Sequence, residues 1–164
     1  MPQTKKEVLK IGLVGDLYSV FWDFPVFDLE NYICSLFDVE IVSPYSFYDW
    51  YFSKKWKKNK KIRKKAIKYL KYWAGGTDAV TLKSYLEMLD KKVDGVMQLR
   101  TFGCMPEEIS SLAIQAVNKD QVKEPNFMIL SYDDHSNPEG IKTRLEAFCN
   151  TILRQKIKKN EQAK

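Results

Sequence analysis

Four short, unbroken apolar runs alternate along this chain with segments of helical period, and that alternation leaves few folds open. The runs are Val8 to Val14 in "EVLKIGLVGD", then "VEIV" in "VEIVSPYSF", "VDGVMQLR" and "NFMILSY". None switches between apolar and polar residues at period two, so each needs cover on both faces. Strands of that kind, joined through helices by right-handed crossovers, build a parallel sheet between two helical layers. The expectation is one α/β domain over residues 1–164, a three-layer αβα sandwich of Rossmann-like form with roughly four parallel strands in the order 2-1-3-4.

The segments between the runs carry the helices. "GDLYSVFWDFPVFD" reads as a long loop after the first strand, with Asp28 placed to cap the helix "LENYICSLF". That helix sets Leu29, Ile33, Leu36 and Phe37 on one face. Ile62, Ala66, Tyr69, Leu70 and Trp73 recur at helical spacing in a basic helix over about 54–73, which Gly75-Gly76 ends. Leu82, Tyr85, Leu86 and Leu89 face inward from the next helix, and "PEEISSLAIQAVNK" follows the third strand. A long final helix from Pro138 buries Ile141, Leu145, Phe148 and Ile152.

The net charge of +6 is local, because eleven Lys or Arg residues fall between Lys54 and Lys71, and acidic residues outnumber basic ones elsewhere. The cations of this stretch, among them Lys57, Lys58, Lys60, Lys61, Arg63 and Lys64, are either a solvated helix face or a polyanion site. The interleaved aromatics lie mostly on the apolar face, which disfavours nucleic acid and leaves room for the phosphates of coenzyme A. At 45% hydrophobic and 13% aromatic residues the chain is too apolar to be disordered. No apolar stretch is long enough for a membrane span, and the N-terminus lacks a signal-peptide core. Three unevenly spaced cysteines argue against a disulfide framework and for a reducing cytoplasm. With one histidine, no CxxC and no HExxH, zinc is not expected; "GLVGD" lacks GxGxxG, so NAD is not expected either.

Ligands of doubly wound sheets collect beyond the carboxyl ends of the strands. Gly15-Asp16, Phe102-Gly103-Cys104 and Asp133-Asp134-His135 should all arrive there. Cys104 lies just before a helix opened by Pro106, with Glu107 and Glu108 suited to its positive end, so the thiol is a packed small residue, a reactive thiolate or a metal ligand. Cys34 and Cys149 read as packing residues. Asp134 and His135 either share a proton-transfer or metal site with Asp133, or form a polar turn in which Ser136 or Asn137 caps the last helix.

"DGVMQLRTFGCMPEEI" and "SYDDHSNPEGIKTRLEAF" resemble the C-terminal region of the 2-hydroxyacyl-CoA dehydratase activase-related proteins. That group is related to the D-component of 2-hydroxyglutaryl-CoA dehydratase and to benzoyl-CoA reductase. Its motifs are matched in order by Gly12 to Tyr18, Gly75-Gly76-Thr77, Phe102 to Glu107 and Asp133 to Phe148. Thr77 stands where the family's GGH motif has histidine, and Ser136-Asn137-Pro138 departs from its DEHTGE motif. The resemblance implies a 4Fe–4S cluster with Cys104 as one thiolate ligand, Gly103 allowing close approach and Phe102 shielding it. Gly15, Asp16, Asp134 and His135 would line the site. It further implies anaerobic acyl-CoA dehydration or related electron transfer, with the other ligands from a partner chain or a second copy. A module that kept the fold without the chemistry, or a polyanion binder, are the competing expectations.

Overall fold

A computed structural model describes residues 8–21, 28–43, 48, 60–121, 125–133 and 135–162. The elements are β1 (Leu9–Gly15), α1 (Leu17–Phe21), α2 (Leu29–Leu36), β2 (Val39–Val42), α3 (Lys60–Tyr69), α4 (Asp78–Asp90), β3 (Gly95–Thr101), α5 (Met105–Lys119), β4 (Asn126–Tyr132) and α6 (Pro138–Gln162). The four strands form one parallel sheet in the order β2-β1-β3-β4, as the apolar runs require. Ile11 pairs with Ile41 on one side and Gly95 on the other, and Leu99 pairs with Gly15 and Leu130.

Successive side chains of a strand point to opposite faces, and both faces are used. Leu9, Ile11 and Leu13 pack with Leu29 and Ile33 of α2 and with Leu145, Phe148, Cys149 and Ile152 of α6. Val14 and Val96 pack on the other face against Ile62 and Ala66 of α3, Leu82, Tyr85 and Met88 of α4, and Ile114 and Val117 of α5. No helix among the described residues is long and apolar enough to cross a membrane.

Several local expectations are corrected. The segment after β1 is not all loop: Asp16 starts the helix α1, because its carboxylate accepts the Ser19 amide at 2.9 Å. Asp28 does not cap α2 with its side chain; it sits at φ 55° and its carboxylate accepts from the Asn31 amide instead. Leu36, at the end of that short helix, is 50% exposed, and Cys34 is exposed where packing was expected.

The basic helix stops at Tyr69, well before Gly75-Gly76, and Trp73 is exposed. The chain there turns into α4, with the Ala74 amide donating to Asp78 at 2.8 Å and the Trp73 indole donating to the Gly76 carbonyl at 2.9 Å. Residues 54–59 lie outside the described residues.

Candidate functional site

The carboxyl edge of the sheet is tied together by Asp16. Gly15 adopts φ 143°, and a Cβ there would meet the Leu99 carbonyl oxygen at 1.8 Å, so only glycine lets β1 exit against β3. Asp16 then donates its amide to Leu99 at 3.1 Å. Its carboxylate accepts the Ser19 hydroxyl at 2.6 Å and the Thr101 amide at 3.0 Å. One side chain therefore caps α1 and holds the end of β3.

The chain of hydroxyls continues to β4, where Ser19 Oγ meets Tyr132 Oη. A serine has one proton, and Ser19 gives it to Asp16, so Tyr132 donates to Ser19. Burial holds the Tyr132 phenol above its ordinary value, and the nearby Asp16 and Cys104 push the same way against the hydrogen bonds from Ser19 and Thr101.

Cys104 occupies the N-cap of α5 with extended backbone, and its carbonyl accepts the Glu108 amide at 3.0 Å. The thiol is partly exposed, so it stands at the open edge and not within the sheet core. Gly103 has φ 74° and nothing within 4 Å of a built Cβ. Its glycine is needed for the turn that delivers Cys104, and no part of this chain approaches it closely, contrary to expectation. Phe102 is 71% exposed and so does not cover Cys104 within this chain; Met105 is 63% and Tyr18 67% exposed.

Glu107, expected to face solvent at the helix start, is fully buried at 0% exposure. Its carboxylate accepts from Thr77 at 2.5 Å, Thr81 at 2.8 Å, Gln98 at 2.9 Å and Ser110 at 3.2 Å. Burial pushes its pKa up, and the hydrogen bonds from Thr77, Gln98 and Thr81 only partly offset that. Glu108 does stay outside, bonded to Arg100 at 2.7 Å. Through Thr77 and through Gly76, whose Cβ position lies 2.4 Å from Pro106, the Gly75-Gly76-Thr77 segment meets the Cys104 segment.

The turn after β4 spends its polar groups on itself. Ser136 bonds to the Asp133 carboxylate at 2.9 Å, the His135 amide donates to the same carboxylate at 3.1 Å, and Asn137 accepts the Glu139 amide at 2.9 Å as the cap of α6. Asp134 lies outside the described residues. In the basic segment, Lys65 pairs with Asp90 and Lys68 with Asp120, so these two cations answer the protein's own carboxylates. Lys60 and Lys64 are exposed; Lys57 and Lys58 fall outside the described residues, as do the side chains of Lys61 and Arg63.

Cys34 lies 3.8 Å from the Val39 carbonyl, at the amino end of β2 and hence the opposite end of the sheet from Cys104. Cys149 is buried on α6, and burial pushes its thiol up to about 11. Among the described residues, no three His, Cys, Asp or Glu side chains gather closely enough to hold a metal ion. The residues present therefore fit one corner of a thiolate-bound cluster, at Cys104. No family model, curated protein or solved structure matches this chain.

Proposed function

We propose that this domain belongs to a 2-hydroxyacyl-CoA dehydratase-like system, docks its carboxyl edge on a partner chain and contributes Cys104 as one thiolate ligand of a shared 4Fe–4S cluster. The observation that carries this reading is convergence. Four segments far apart in sequence, Gly15 to Ser19, Gly76-Thr77, Phe102 to Glu107 and Tyr132 to Ser136, come together at one sheet edge through the contacts of Asp16, Thr77, Thr101 and Tyr132.

The site's chemistry supports the same reading. Cys104 is the thiol that combines exposure with a helix N-terminus, whose amides and dipole favour the thiolate a soft metal needs. The exposed Tyr18, Phe102 and Met105 give the edge an apolar rim suited to a protein partner that excludes water. When bound, the cluster would supply one-electron chemistry. This chain's part is to hold one corner, keep the thiol at the rim and present a rigid apolar edge.

Anaerobic reconstitution with ferrous iron and sulfide tests the proposal, with a small thiol in excess to occupy the corners this chain leaves open. Wild type should retain iron, Cys104→Ala should lose it, and Cys34→Ala should retain it. The same apolar rim also supports a second reading, a docking module without chemistry. That reading predicts no specific iron in any of the three proteins, even with the partner bound.

A further inference from the structure

The outer edge of β4 is open. Among the described residues only β3 pairs with it, and Phe127, Met128 and Ile129 are each only partly buried. A groove of about 480 Å³ runs beside it, lined by Asn126, Phe127, Met128, Ile129 and by Arg144 and Phe148 of α6. Ile129 belongs to neither of the two core clusters. Strands of a parallel sheet are normally covered, and a seven-residue apolar edge without charge or proline is a template for another strand. The opposite edge is guarded: β2 has four residues and carries Glu40, ion-paired to Lys10 at 3.1 Å.

We propose that β4 pairs antiparallel with β4 of a second copy of this chain, about a two-fold axis at Ile129. Charge selects this occupant. A two-fold sets Ile129 against itself, Met128 against Leu130, Phe127 against Ser131 and Asn126 against Tyr132, so a charge on the strand would face a strand of like charge pattern. The strand carries none. Pairing β4 with the β2 edge of another copy would instead be head-to-tail and open-ended, and would bring Glu40 to an apolar groove. The two-fold contact closes at the dimer.

Antiparallel pairing sends the two carboxyl edges to opposite ends of the joined sheet. The two Cys104 thiols then point away from each other, so the dimer leaves each of them free for a different chain. The inference thus stands or falls separately from the cluster.

Sedimentation equilibrium of the full chain under reducing conditions tests it. Wild type should sediment at twice the 19.2 kDa chain mass. Ile129→Lys should sediment at the chain mass with unchanged circular dichroism, because two ammonium groups would meet at the axis. Leu36→Lys, on the exposed end of α2, should stay dimeric. Ile129→Cys should cross-link on oxidation beyond the wild-type background, since facing antiparallel residues have Cα atoms roughly 4.5–5.5 Å apart, within disulfide reach. If Ile129→Lys does not fold, the cysteine variant decides. A monomeric wild type, including one that binds a strand of some other protein, overturns the proposal; so does a folded, dimeric Ile129→Lys or an Ile129→Cys that cross-links no more than wild type.

Discussion

Glu107→Ala should cost roughly 3–5 kcal/mol of folding stability, read as a lowered denaturant midpoint with an unchanged slope. The carboxylate is fully buried and gathers Thr77, Thr81, Gln98 and Ser110, which join α4, β3 and α5. Removing it strands buried donors and leaves a void beneath the start of α5. Glu107→Gln keeps the shape but turns an amide donor toward groups that already donate, so its cost should be smaller, about 1–3 kcal/mol.

The pH dependence has a definite sign. Burial raises the Glu107 pKa in the folded protein, so between the ordinary carboxylate value and the raised one the folded state holds more proton than the unfolded state. Stability therefore falls as pH rises through that window and is recovered on acidification. Glu107→Gln has no such proton to bind. The gap between wild type and variant should widen in favour of wild type as pH falls through the window. A gap that narrows on acidification would contradict the assignment.

Asp16→Ala should cost roughly 2–4 kcal/mol, the sum of a lost helix cap and a lost anchor for β3. The substitution leaves the Ser19 amide, the Ser19 hydroxyl and the Thr101 amide without their acceptor. A local readout separates this from general destabilisation: amide exchange at Ser19 and Thr101 should accelerate well beyond that of Ile11 in the middle of the sheet. Unchanged protection at Thr101 would mean that Asp16 does not hold the crevice. Because Tyr132 donates to Ser19, the same variant should also loosen the end of β4.

The fold was legible because a continuous apolar run has only one economical home, and Leu9 to Val14, Val96 to Leu99 and Phe127 to Leu130 each form such a run. Parallel pairing and the crossover rule then fixed the order of strands. Other features had a signal that was outweighed. Asp16 and Ser19 stand three apart, the spacing of a cap, yet the following aromatics made the segment look irregular. Glu107 shares the spacing of Ser110, Ile114 and Val117, which marks the inward stripe of α5, but an acidic residue at a helix start suggests the dipole first.

What could not be read is non-local. Nothing near Glu107 in sequence announces Thr77, Thr81 or Gln98, and nothing near Lys65 and Lys68 announces Asp90 and Asp120. Cys34 differs from an inward residue by a single step around a short helix, since its neighbour Ile33 is buried. Cys104 was placed correctly at the sheet edge because the strand end, the glycine and the helix start bracket it on both sides.

Electron paramagnetic resonance of the reduced, anaerobically reconstituted chain, in wild type and Cys104→Ala side by side with small thiol present, tests the cluster assignment most directly. The account predicts the signal of a reduced 4Fe–4S cluster in wild type and its loss in the variant, with both proteins equally folded by circular dichroism. Equal signals in the two proteins, or a wild type that stays silent even with its partner chain bound, would contradict it.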